Sequence, residues 1–150
     1  MKTIALRFGE HFSPECGTIA AHQLIIDELG YVWYGKMGSN ISVKVRNEIM
    51  KSDNPKILLI RSGKLERYWA YISDISNEKP NENAIPKYYR DKAIKFKTWF
   101  KVNRFEMAEK DVLSNYVVAS SGVLVGNVSK HSMSPYYIIE GSDNDELENM

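Results

Sequence analysis

Lys56-Ile57-Leu58-Leu59-Ile60-Arg61, continued through Ser62-Gly63-Lys64 into Leu65-Glu66-Arg67-Tyr68-Trp69-Ala70-Tyr71-Ile72-Ser73-Asp74-Ile75, reads as two strands joined by a tight hairpin. Period-two alternation sets Leu65, Arg67, Trp69, Tyr71, Ser73 and Ile75 on one face of the second strand, opposite Glu66, Tyr68, Ala70, Ile72 and Asp74. Both faces mix apolar with polar residues. A strand sandwiched in a flat parallel sheet would be apolar throughout, so this pattern predicts a curved sheet or an open β-barrel.

Upstream, Lys2 to Phe8 is β-branched enough for a strand, after which Ser13-Pro14 and Gly17 break the chain. Ile19, Ile26 and Leu29 recur on one face of a helix from Thr18 to Leu29, and Gly30 is placed to stop it in a left-handed cap. Tyr31-Val32-Trp33-Tyr34 predicts a strand running into a Gly35–Asn40 loop. Ile41, Val45 and Ile49 then mark an amphipathic helix, ended by Asp53-Asn54-Pro55. Downstream, Ser76 to Lys92 contains Pro80 and Pro86 among many polar residues and predicts a long loop. A long strand is expected over Ala93 to Phe105, a short helix over Met107 to Asn115 and a strand over Tyr116 to Ala119. A last helix should open at Ser120-Ser121-Gly122 and run to about His131, with Tyr136 to Ile139 closing the sheet. The class is α+β: a small curved mixed sheet or open barrel flanked by helices.

A chain of 150 residues with 43% hydrophobic and 26% charged side chains has the size and balance of one globular domain. One domain is expected over residues 1–142, followed by an acidic, solvated and disordered tail over 143–150 that holds Asp143, Asp145, Glu146 and Glu148. The formal charge of +1 therefore conceals a more basic body, which leans towards phosphate-bearing ligands. Cys16 is the single cysteine, so neither an internal disulfide nor a cysteine-built zinc site can form within one chain. With no apolar run long enough for a signal peptide or a membrane span, the expectation is a cytoplasmic protein without a membrane partner.

In the segment Ala93 to Phe105, alternation sets Ile94, Phe96, Thr98, Phe100 and Val102 against Lys95, Lys97, Trp99, Lys101 and Asn103. An indole among lysines on an exposed strand could stack a base and neutralise a phosphate, unless the lysine stems merely cover a partly buried ring. Trp33, Tyr34, Lys36 and Ser39 form a second candidate, aromatics beside a glycine-bearing loop whose free N–H groups could meet an anion. Tyr88, Tyr89 and Arg90 in the long loop, with Trp69, could add stacking surfaces and a bidentate contact, or the aromatic pair after Pro86 could plug the loop onto the body. Ser120 and Ser121 could surround an anion or cap a helix. His22, on the buried stripe of the first helix, is the weak catalytic candidate, weighed against a hydrogen-bonded core histidine. No G-x-S-x-G, H-E-x-x-H, Walker A or G-x-G-x-x-G motif occurs, and His11, His22 and His131 lack metal-ligand spacing. No metal and no cofactor are expected.

Tyr31-Val32-Trp33-Tyr34-Gly35-Lys36, the hairpin from Lys56 through Trp69 to Ile75, and Thr98-Trp99-Phe100-Lys101-Val102 together resemble the PUA-like superfamily. Its EVE, YTH and ASCH branches build a small curved barrel flanked by helices and bind RNA or modified bases. The resemblance implies that Trp33, Trp69 and Trp99 enclose a base at a barrel mouth. The expected function is a nucleic-acid-binding module reading a modified or flipped base. The alternatives are a protein that senses or sequesters a small nucleotide or cyclic dinucleotide, and a small enzyme using His22 as general base.

Overall fold

Lys2–Phe8 forms strand β1 and Lys56–Arg61 forms β3. Each has an unbroken apolar centre, Ile4-Ala5-Leu6 and Ile57 to Ile60, and each is buried on both faces. Such strands belong in the middle of a sheet, and these two pair in parallel from Ala5↔Leu58 to Phe8↔Arg61. The computed structural model describes residues 2–8, 17–36, 40–61, 66–126 and 136–141, with 89, 91, 92, 94 and 136 described by backbone alone. Among them Val32–Lys36 is β2, Arg67–Ser76 β4, Thr98–Met107 β5, Tyr116–Val118 β6 and Tyr136–Gly141 β7. The order across one mixed, unclosed sheet is β2-β5-β4-β3-β1-β7-β6, and every neighbouring pair except β1–β3 is antiparallel.

Two helices, α1 (Thr18–Leu29) and α2 (Val43–Met50), cover one face. Their Ile19, Ile26, Val45 and Ile49 pack on Ile4, Leu6, Tyr34, Leu59, Phe100 and Val102 of the sheet. Gly30 ends α1 at φ 85°, donating its N–H to the Ile26 carbonyl as the sequence predicts. α2 is capped by Ser42, whose Oγ accepts the Val45 N–H at 3.2 Å. The opposite face has two separate covers. Val112, Leu113, Tyr116 and Val125 lie over Ala5, Leu58, Ile60 and Trp69, while Ile85 and Ala93 of the β4–β5 connection lie over Trp99.

The α+β class and the mixed, unclosed sheet agree with the sequence reading, and four local expectations are corrected. Gly35 and Lys36 continue β2 instead of opening a loop, because they pair with Trp99 and Thr98. The late strand runs from Thr98 to Met107, since a 3-10 turn over Lys87–Lys95 closes when the Phe96 N–H reaches the Ala93 carbonyl. That also removes the short helix expected from Met107, leaving a 3-10 turn at Val112–Ser114. Finally, register shifts between Tyr71 and Asp74 break the strict alternation of β4, so Ile72 and Ile75 both join the helix-side core. The Ser62-Gly63-Lys64 turn, residues 127–131 of the expected last helix and the acidic tail lie outside the described residues, while Ser120-Ser121-Gly122, expected to open that helix, lie in a turn instead.

Candidate nucleic-acid interface

β2 and β5 pair from Val32↔Val102 to Lys36↔Thr98. Alternation therefore divides their side chains between the two faces. On the helix side stand Tyr34 and Lys36, 3% exposed each, with Thr98 at 0%. His22 of α1 lies over Tyr34 with ring centroids 4.8 Å apart, and the edges of Tyr88 and Phe105 meet it at 6.4 and 6.3 Å. Its Nδ1 is 2.8 Å from the Thr18 carbonyl one turn back, so that nitrogen carries the proton and donates. A fully buried imidazole, gripped by three aromatic rings and tied to its own helix, is a core group, and the general-base expectation for His22 is set aside. The Thr98 hydroxyl donates to Asn77 Oδ1 at 3.0 Å and lies 3.4 Å from the Ile41 N–H. Burial pushes the Lys36 ammonium below its ordinary pKa, since a charge removed from water favours its neutral form. Lys36 is thus an interior residue rather than the surface anion contact expected. The anion site expected at the N-terminus of α2 meets a helix already capped by Ser42.

On the opposite face, Trp99 corrects the central sequence expectation. It does alternate away from Phe100 as predicted, yet it is 0% exposed, because the β4–β5 connection folds over it. Phe96 packs edge-on against it at 5.3 Å, and the space both rings need is supplied by Gly35. Among the described residues its indole Nε1–H has no hydrogen-bond partner. Trp33, half-buried, packs on the rim of this cluster. Lys101, half-buried, pairs across strands with Trp33 and carries its Nζ 4.5 Å over the ring of Tyr31. Lys97 is exposed just before β5, at the Lys36 end of the pair. The aromatic–lysine partnership read from the sequence therefore exists, built on Trp33 and Tyr31 instead of Trp99.

Trp69 does not join Trp33 and Trp99. It pairs with Glu106 near one end of the β4–β5 ladder, while Trp99 pairs with Ser76 at the other. An enclosure of one base by all three indoles is thus excluded by register. Arg90 donates through Nε to the Glu82 carbonyl at 3.1 Å, a bond within the connection itself. The side chain of Tyr89 and the whole of Ser39 lie outside the described residues. Ser120 and Ser121 are exposed in a turn, where the Ser121 Oγ accepts the Val123 N–H at 3.3 Å.

Between the two covers the sheet presents a further row that the sequence reading missed. Lys56, Tyr71 and Arg104 stand side by side on β3, β4 and β5. Arg104 lies 3.9 Å over the Tyr71 ring, and the Lys56 Nζ lies 5.6 Å from it. The Tyr71 hydroxyl points to Glu106 at 3.4 Å. Burial first, and the Glu106 charge second, raise its pKa, so it stays protonated. Only cross-strand register brings these residues together, so no local motif could have signalled them. Among the described residues no group of acidic, histidine or cysteine side chains could hold a metal, and no helix is long and apolar enough to cross a membrane.

A mixed, unclosed sheet with two helices is consistent with an α+β Pua-like fold, and a family model described as Pua-like matches residues 4–150. The chain belongs to the Pua-like family. Membership points to nucleic-acid binding in general. Among curated proteins and among solved structures nothing matches it.

Proposed function

We propose that this Pua-like protein binds single-stranded nucleic acid at the β2–β5 end of its sheet and receives an unpaired base, flipped or modified, against Trp33. The observation that carries the reading is the pairing of Trp33 with Lys101, whose ammonium also caps Tyr31 at 4.5 Å. A half-buried indole gives a base a π-face at little entropic cost, and the adjoining ammonium offers a phosphate contact. Exposed Lys97 extends the basic edge. Trp99 and Phe96 serve as the wall behind Trp33, a positioning role that their burial supports.

The test is a binding titration with labelled single-stranded RNA and DNA, modified and unmodified, at low and physiological salt. Trp33→Ala should weaken binding about tenfold, as expected for a stacking contact of roughly 1–3 kcal/mol, without loss of fold. Absence of binding to every oligonucleotide at low salt, or full affinity in Trp33→Ala, would overturn the proposal. Tight, salt-insensitive binding of a mononucleotide or cyclic dinucleotide alone would replace it with the small-nucleotide reading.

A further inference from the structure

Where Trp69 meets Tyr116 the sheet holds a cavity that the Trp33 reading does not use. It measures about 210 Å³ and is lined by Lys56, Trp69, Glu106, Glu109, Asn115 and Tyr116, among others. The two rings meet edge to face at 5.5 Å and 64°. Each belongs to a residue only 7% exposed, so core packing holds both walls in place. The polar lining carries both signs. Lys56 sits with Nζ 4.3 Å over the Trp69 ring. Glu106 is engaged only at long range, by the Tyr71 hydroxyl at 3.4 Å and by Arg104 at 3.3 Å. The Glu109 carboxylate and the Asn115 carboxamide have no hydrogen bond or ion pair among the described residues.

These groups select among ligands. A simple anion would face two carboxylates, and a small organic cation would compete with Lys56 for the indole. A flat ring with N–H donors on one edge and acceptors on the next satisfies both sets of groups. Guanine has that arrangement, with N1–H and N2–H₂ beside O6 and N7, the latter two being a usual lysine contact. Adenine would turn its N1 lone pair towards a carboxylate and leave that contact unmade, which is costly in a partly dry site. The volume lies below the roughly 300–1,000 Å³ of drug-sized pockets, which suits one ring system with its ribose and phosphate outside, towards Arg104.

We propose that the Trp69–Tyr116 cavity is a guanine-binding site, with the donors of the base directed to Glu106 and Glu109 and its acceptors to Lys56. The site shares no residue with the Trp33 reading. The probe is guanosine 5′-monophosphate against the adenosine, cytidine and uridine monophosphates, followed through the Trp69 indole N–H signal by NMR. The guanosine nucleotide should shift that signal saturably, with the other three at least about tenfold weaker, the discrimination expected of a bidentate base contact. Glu109→Gln and Lys56→Met should each weaken it about fivefold or more, and exposed Glu109 tolerates replacement without unfolding. Trp33→Ala should leave it unchanged. An equal response to all four nucleotides, no saturable shift at millimolar guanosine nucleotide, or folded variants with unaltered affinity would each overturn the assignment. Oligouridylate carries no guanine, so its binding to the wild type about tenfold more tightly than to Trp33→Ala upholds the first reading whatever the mononucleotides do.

Discussion

A Cβ at position 35 would lie 2.8 Å from Cγ of Phe96 and 3.0 Å from Cζ3 of Trp99. Glycine ordinarily weakens a strand interior, so alanine there would normally help, but here the added methyl would press on two packed rings, of which Trp99 is wholly buried. Gly35→Ala should therefore destabilise by about 1–3 kcal/mol, the usual cost of overpacking, and urea unfolding would measure it. Trp99→Ala removes the other half of the same contact. With the ring wholly buried, the loss should reach about 3–5 kcal/mol, whereas an exposed stacking platform would cost stability almost nothing. Trp99→Phe should cost much less, since it also removes an N–H that has no partner among the described residues, a defect worth roughly 1–3 kcal/mol. Lys36 gives a test in pH. Burial lowers its pKa in the folded state, so between that value and the unfolded value of about 10.4 the unfolded chain binds the extra proton. Stability contributed at this position then rises with pH across that window. Compared with Lys36→Met, the wild type should gain unfolding free energy as the pH climbs from neutral towards 10, and equal pH profiles for the two would contradict the assignment.

Ser42→Ala should cost about 1 kcal/mol of stability, readable as a shift in the thermal midpoint, because the Ser42 Oγ holds the Val45 N–H at the start of α2. That cap belongs to the elements that local sequence makes plain. Hydrophobic period and stop signals located α1, α2, β1, β3 and β7, since each is specified by neighbours in the chain. The limits of β5 were not legible, because Ile94, Phe96 and Thr98 alternate like a strand while the chain at 93–96 closes a turn. Phe96 is drawn out of the alternation by a pocket that Gly35 creates from another strand. The burial of Trp99 was hidden for a related reason. Period two tells which face a side chain takes and is silent about whether a distant segment, here Ile85 and Ala93, comes to cover it. The slip in β4 follows the same logic, as the bulge near Tyr71–Asp74 is set by pairing with Val102 and Arg104.

At the scale of the whole molecule, one face of the sheet is closed by α1 and α2, and among the described residues the other is left open between two covers, with Lys101, Arg104 and Lys56 across it. The sequence disclosed the aromatics and lysines of this surface but misassigned the indole that faces outward, and it gave no sign of the Lys56–Tyr71–Arg104 row, whose members meet only through register. A polyanion lying on that face would release a counterion at each phosphate neutralised, so log affinity should fall linearly with log salt, by about 0.7 per contact for a single strand. Removing one cation that meets a phosphate should lower the slope by about that amount, and Lys101→Met and Arg104→Met are the variants to compare. Lys44, exposed on α2, stands on the covered side, so Lys44→Met should leave the slope as it was. Trp33→Ala should behave differently again, lowering affinity equally at every salt concentration, because stacking releases no counterion. Titrations of one oligonucleotide across a salt series separate these cases. A flat salt dependence in the wild type, or an equal fall in slope for Lys44→Met and Lys101→Met, would mean that the strand does not follow the open face.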